Sequence, residues 1–356
     1  TNSITADFSD TFTSGNLTVY GTNACGNGTA STGTAITINP PSVGGTAASN
    51  QTICGGSQPA NITLSGNTGT IQWQSSPDNS TYTDISGATA SPLTGAQMGT
   101  ITATTYYRAV VTNGVCASAY SNVVTVITAV NDIDGNTYNT VSIGTQCWMK
   151  ENLKTTHYSN GTSIQIVTDN TTWKNLATGA RCYYNNDSMA YKATYGGLYN
   201  WYAVMNGEAS SNANPSGVQG ICPTGWHVPS DTEWGIMEVY LDNTVVASTA
   251  DVWKGTDIGN KLKISGSCIT CPNSPDGCWC SNSNANNSSN FTAFGSGCRY
   301  NHDGSFSNLG YQSSYWTSTA SSTTMAWQHD LIYYLPQVQK SYYYKQRGYS
   351  LRCVKN

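Results

Sequence analysis

Gly220–Trp234, GICPTGWHVPSDTEW, is the stretch whose reading decides the second half of this chain. It runs from a cysteine through a Pro-Thr-Gly turn and a short Trp-His-Val strand into the start of a helix. Ser230 stands where an N-cap belongs, and Glu233, three residues on, completes a capping box. Asp231 and Glu233 also place negative charge in the first turn, where the helix dipole favours it. Trp234, Met237 and Leu241 then recur at i, i+3 and i+7, the spacing of one apolar helical face. The pattern predicts a well-capped helix as the packing centre of this half, because most of the remaining sequence reads as strand and loop. His227 in the Trp-His-Val strand reads as a satisfied core residue, and Glu233 as a cap.

Working outward, 356 residues are enough for roughly two or three domains. Only 10% of residues are charged, against about a quarter in a typical soluble domain, and the net charge is −4. No Lys/Arg cluster is present, and phosphate binding needs concentrated positive charge, so nucleic acid is excluded as the expected partner. No apolar run is long enough for a direct membrane span. Twelve cysteines in loop-like sequence point to an oxidising compartment, hence a secreted or cell-surface protein. The opening TNSITADFSD lacks the basic and apolar regions of a signal peptide, so such a segment is expected to have been removed or to lie upstream.

Residues 41–129 are all β by pattern. Short strand-like runs, such as Ile71–Gln74 and Tyr106–Thr112, are separated by Gly, Asn, Pro and Ser. Asn113-Gly114 is a strong hairpin signal. Cys54, Trp73 and Cys116 in that order resemble an immunoglobulin-like sandwich, with Cys116 displaced to the last strand, so that a Cys54–Cys116 bridge pins the end of the sandwich. Leu17–Cys25 with Thr34–Ile38 matches Tyr107–Cys116 with Val123–Ile127, a repeat about one sandwich long. Residues 1–40 are therefore expected to be the closing strands of an incomplete preceding domain, whose opening strands, with the partner of Cys25, lie before Thr1. Upstream Ig-like domains of the same longer chain are the implied neighbours. The alternatives are an independent hairpin and strand addition to another subunit.

From 130 to 356 the chain resembles the major paralogous domain first noted in Fibrobacter succinogenes and abundant in surface proteins of Bacteroidetes. The matching residues are DIDGNTYNTVSIGTQCWMKENL (132–153), Cys182–Asp187, Tyr195–Trp201, CPTGWHVPSDTEW, Asp303–Leu309, Tyr315–Thr319 and Tyr349–Val354. The Ig-like repeats resemble those of adhesion proteins in the same phylum. The order GWHVPSDTEW, YWTST and a terminal RCV is also similar to the C-type-lectin-like fold of formylglycine-generating enzymes and phage receptor-binding proteins. That resemblance implies an α+β domain in which Cys222 bridges Cys353. The expected fold is thus multidomain: all-β Ig-like sandwiches, the N-terminal one incomplete, then an α+β C-type-lectin-like domain.

Three groups of residues carry candidate chemistry. Asp132, Asp134 and Asn136 have the alternating oxygens of a calcium-loop opening, which makes calcium the one cofactor the sequence offers. The loop lacks the later acidic ligand, and an Asp-Gly hairpin turn is the competing reading. Cys268, Cys271, Cys278 and Cys280, with Cys298 beyond, have a zinc-like spacing that in a secreted chain reads as a disulfide-knotted loop. Asp276, Trp279, Tyr300, His302 and Asp303 lie in the loops where lectin-like folds present ligand. Their rings and carboxylates suit saccharides. Trp316 and Trp327 read as core, and Tyr342–Tyr344 as a strand with at least one ring outward. No nucleophile, base and orienting acid form a local motif, so no enzyme is expected.

The expected function is a bacterial surface adhesin whose lectin-like head binds a glycan or another surface component. The competing reading is a subunit or cap of an extracellular filament; an enzyme of the formylglycine-generating type comes third. The resemblance further implies an extracellular, cell-surface location, reached by type IX export.

Overall fold

The computed structural model describes residues 5, 13–246, 252–268, 278–280 and 284–356. The chain is mostly β and divides into two compact units. Unit 1 comprises Thr1–Gln51, Ala60–Gly99 and Thr105–Thr125; unit 2 comprises Thr52–Pro59, Thr100–Thr104 and Val126–Asn356. The change expected near residues 129 and 130 is close to the last of these limits. The two short segments at 52–59 and 100–104, however, belong with the second unit.

In unit 1, β1 (Gly15–Leu17) pairs antiparallel with β2 (Thr34–Ile36). The spine is an antiparallel pair, β3 (Thr70–Ser76) with β5 (Thr105–Thr112), in register from Thr70↔Thr112 to Ser76↔Tyr106. β4 (Thr83–Asp84) adds to β3, and β6 (Ala119–Tyr120) to β5. The period-two alternation of β5 turns Tyr107, Ala109 and Val111 into the core beside Trp73. The buried indole of Trp73 donates to the Ala90 carbonyl at 2.9 Å, which leaves its one polar atom satisfied.

Cys116 follows the Asn113-Gly114 turn, but it is a free thiol and does not bond Cys54. Cys54 is bonded to Cys147 instead. The expected Cys54–Cys116 pairing is therefore corrected, and the reason lies in the backbone around Gly55. There the chain lies along a strand of unit 2, with Ser142 N–H donating to the Gly55 carbonyl (2.8 Å) and Gly55 N–H donating to Thr140 Oγ1 (2.9 Å). Ser142 is the ladder partner of Cys147, so this path carries Cys54 to Cys147. Only glycine permits it: a Cβ on residue 55 would fall 2.3 Å from the Thr140 carbonyl oxygen.

Unit 2 holds two larger sheets. The first has the order β7 (Ala129–Asn131), β8 (Thr137–Ile143), β9 (Gln146–Met149), then the last strand β17 (Val354–Lys355), then β10 (Trp226–His227). The second has the order β11 (Val252–Lys254), β16 (Val338–Tyr344), β15 (Met325–Ile332), β14 (Gln312–Ala320), β12 (Ser296–Arg299), β13 (Phe306–Leu309). Its helices include α1 (Ser188–Tyr195), α2 (Trp201–Met205), α3 (Asp231–Leu241) and α4 (Ile258–Leu262).

The quoted stretch supplies β10 and α3. Ser230 Oγ accepts from the Glu233 N–H (3.1 Å) and donates to the Ala213 carbonyl (2.7 Å), while Glu233 Oε2 accepts from the Ser230 N–H (2.9 Å). Trp234 and Met237 are fully buried. The Trp234 ring stacks on His329 at 4.8 Å and meets Trp148 and Phe291 edge-on at 5.1 and 5.8 Å. Ser230→Ala is expected to cost about 1–2 kcal/mol, since it removes a cap and leaves the buried Glu233 N–H without its partner. A lowered urea midpoint for unit 2 checks this.

At the other end of the stretch, Cys222 is bonded to Cys353, with both residues fully buried. Just beyond the bond, His227 and Trp226 of β10 pair with Val354 and Lys355 of β17.

Candidate functional site

Trp279 does not belong to a ligand surface. It is fully buried, donates its indole N–H to the Ala293 carbonyl at 2.8 Å, and lies under the Lys263 ammonium. An apolar ring with a satisfied N–H is core chemistry. Asp276 lies outside the described residues. The remaining three, Tyr300, His302 and Asp303, are brought together on one turn.

That turn joins β12 to β13 and is braced from beneath by buried Arg299. The guanidinium donates to the Gly304 carbonyl (Nε, 2.8 Å), the Val167 carbonyl (Nη1, 2.5 Å), and both the Thr168 carbonyl and Asn170 Oδ1 (Nη2, 2.8 and 2.9 Å). A fixed cation with four hydrogen bonds, at least one from each of its three nitrogens, holds the turn in place before any ligand arrives. Above it, the side chains of His302 and Asp303 are 62% and 51% exposed, with Nε2 and Oδ2 3.4 Å apart. Asp303 Oδ1 accepts from the Ser305 N–H and hydroxyl, which hold its carboxyl below the ordinary range. The Tyr300 ring lies 5.0 Å from that of His302.

One residue of this cluster was not singled out in the sequence. Arg347 places its guanidinium 4.7 Å from the Tyr300 ring centre and 4.2 Å from that of Tyr343, and donates to Tyr349 Oη at 3.0 Å. It follows a run of three tyrosines by three residues, and that composition was the available signal. The surface thus combines two rings, a carboxylate, an imidazole and a guanidinium, a set able to stack on a sugar face and hydrogen-bond its hydroxyls.

The Asp132, Asp134 and Asn136 oxygens do not converge. Asp132 accepts from the N–H groups of Asp134 and Asn136, from the Asn136 amide and from the Tyr138 hydroxyl at 2.6–3.0 Å. Asp134 turns the other way, to both hydroxyls of Thr155 and Thr156, the Thr156 N–H and His157 Nδ1. Burial opposes the Asp134 charge, but these donors win and hold its carboxyl well below the ordinary range. This is a satisfied turn, with Gly135 at φ +78°, and the three residues as placed do not fit a calcium ion. Among the described residues, no group of three or more His, Cys, Asp or Glu side chains could hold a metal ion.

Charges also lie inside. Asp231 and Glu238 of α3 face His329 and Lys340 of the second sheet, with Lys254 alongside. Glu238 is 2.6 Å from His329 Nδ1 and 2.8 Å from Lys254 Nζ, and Asp231 is 3.2 Å from His329 Nε2 and 2.6 Å from Lys340 Nζ. Burial disfavours charge on Asp231, Glu238 and His329, yet the pairing prevails. Asp231 is lowered to about 2 and Glu238 is lowered, while Glu238 and Asp231 raise His329. His227 is likewise buried, with Glu233 at 2.7 Å raising it against the effect of burial. Of the other cysteines, Cys278 and Cys280 are disulfide-bonded. Cys182 and Cys298 are buried thiols that burial pushes up to about 12.

The family described as the Fibrobacter succinogenes major domain has a model that matches residues 141–355, more than half of the chain. A domain of unknown function (DUF8696) matches residues 43–131. No curated protein and no solved structure matches the chain. The disulfides and the first family together fit a surface or extracellular protein. No helix among the described residues is long and apolar enough to cross a membrane.

Proposed function

We propose, for a chain that belongs to the Fibrobacter succinogenes major domain family, that unit 2 carries the ligand-binding surface of a bacterial cell-surface adhesin and unit 1 one repeat of its stalk. The ligand is a polysaccharide or another hydroxyl-rich surface component. The carrying observation is the braced turn: Arg299 and Gly304 fix it from below, while His302 and Asp303 stand exposed beside Tyr300 and Arg347. Rigid placement of a ring and a carboxylate lowers the ordering cost that weak surface binders otherwise pay. Ig-like and C-type-lectin-like folds are the finer reading of the two units. The buried Trp73 on β3 supports the first, and the capped helix α3 beside the returning strand β17 supports the second. Export by the type IX route goes with this reading.

The function is read as binding without turnover. All four histidines lie beside carboxylates: His157 by Asp134, His227 by Glu233, His329 by Glu238 and Asp231, and the exposed His302 by Asp303; no nucleophile is hydrogen-bonded to His227, His302 or His329 among the described residues. The test is a glycan array probed with the whole chain. Reproducible binding to a set of glycans is expected, with Tyr300→Ala and Asp303→Asn each reducing it about tenfold or more. Binding unchanged in both variants, or no glycan bound while the chain assembles into ordered polymers, would favour the filament reading instead.

A further inference from the structure

A cleft of about 430 Å3 opens on unit 2, lined by none of the residues of the turn described above. Its floor is the apolar side of β8, Val141 and Ile143. One wall is the segment at Gly55 and Gly56, tied to β8 by the Gly55 hydrogen bonds and by a contact of 3.1 Å between the Ser57 and Ser142 hydroxyls. The neighbouring Cys54–Cys147 bond anchors that wall covalently. The opposite wall is the end of α3, with Tyr240 and Leu241, and the loop at Ser288–Asn290. Lys261 ties these two together, since its Nζ donates to the Leu241 carbonyl (2.6 Å) and its own carbonyl accepts from the Ser289 hydroxyl (2.7 Å). The walls are thus fixed by covalent and hydrogen bonds, and the volume lies within the usual range for small-ligand sites, about 300–1,000 Å3.

The lining has a definite chemistry. Tyr240 is 66% exposed, and its ring rests against Gly144, where an added Cβ would come within 3.0 Å of it. A turn glycine therefore sets an aromatic face at the rim. Among the described residues, Lys150 is the one charged side chain lining the cleft, and no carboxylate lines it. The adjacent Glu151 is taken up by the Asn139 N–H and amide at 2.8 and 3.0 Å. Among the described residues, Lys150 Nζ, the Tyr240 hydroxyl and the Asn290 side-chain amide make no hydrogen bond. The hydroxyls of Thr102 and Ser288 supply the rest.

We propose that this cleft binds an acidic oligosaccharide, one sugar ring lying on Tyr240 and a carboxylate meeting Lys150. A ring face serves the apolar side of a pyranose, unused donors and hydroxyls serve its edges, and an ammonium that pairs with no carboxylate among the described residues favours an anion over a neutral sugar. This site is separate from the turn at Tyr300, so either can fail without the other.

The experiment is calorimetric titration of the whole chain with hexagalacturonate and, in parallel, with neutral maltohexaose. Hexagalacturonate is expected to bind at least about tenfold more tightly, with affinity falling as salt is raised. Lys150→Ala and Tyr240→Ala should each weaken it about tenfold or more, while Lys150→Arg retains binding and Tyr300→Ala leaves it unchanged. Unaltered near-ultraviolet circular dichroism establishes that each variant is folded. No binding of hexagalacturonate, equal affinity for both sugars, or indifference to the Lys150 and Tyr240 changes in folded variants would overturn the proposal.

Discussion

Glu238→Gln and His329→Ala are each expected to destabilise unit 2 by about 3–5 kcal/mol, the cost of stripping one partner from a buried ion pair. Glu238 and His329 are fully buried, and each is engaged on both sides. Removing one leaves the other charged or polar atoms in the interior with no water to replace the loss. The same network makes stability depend on pH. Asp231 and Glu238 lie below their ordinary 3.8 and 4.5 in the folded chain, so their contribution is present above those values and is lost as pH falls, toward about 2 for Asp231. His329 lies above its ordinary 6.5, so its contribution is complete below 6.5 and is lost as pH rises through the raised value. The wild-type urea midpoint should therefore peak between pH 4.5 and 6.5. It should fall on either side, and His329→Ala should flatten the alkaline limb. A midpoint level from pH 4 to 8, or a loss below about 1 kcal/mol in both variants, would refute this account.

Replacing Cys222 and Cys353 together by alanine is expected to cost about 4–5 kcal/mol. The bond spans 131 residues, and on the chain-entropy account a closure of that length restricts the unfolded chain by about 5 kcal/mol. It also joins the turn before α3 to the last strand, where β17 lies between β9 and β10. Loosening it should release β17 first. The check is a denaturant midpoint for the double variant together with amide exchange at Val354 and Lys355, whose protection should fall before that of β14 and β15. A loss under about 1 kcal/mol would mean that the sheet contacts alone hold the terminus.

How much was legible differs by residue. The start of α3 was readable because a cap, its reciprocal glutamate and the first buried ring all lie within five residues. Tyr300, His302 and Asp303 could be grouped because one turn carries them. Trp279 could not be placed in the same way: its ring is covered by Lys263 and bonded to Ala293, contacts its own neighbours do not foretell. Glu238 sits four residues after Trp234, on what reads as a polar interruption of the helical face. It is buried because Lys254 and His329 arrive from strands remote in sequence.

What the sequence determined by itself is therefore local: the capped helix, the strand alternation, the Asn-Gly and Asp-Gly turns, and membership of a β-rich surface family. Tertiary structure alone decided which cysteine Cys54 meets, which charges lie inside, and that the Gly55 segment walls a cleft in unit 2. The physical reason is range. Caps, periodicities and turns act over a few residues, whereas the Cys54–Cys147 and Glu238–His329 pairs join positions about 90 apart, where only the packed chain brings the partners together.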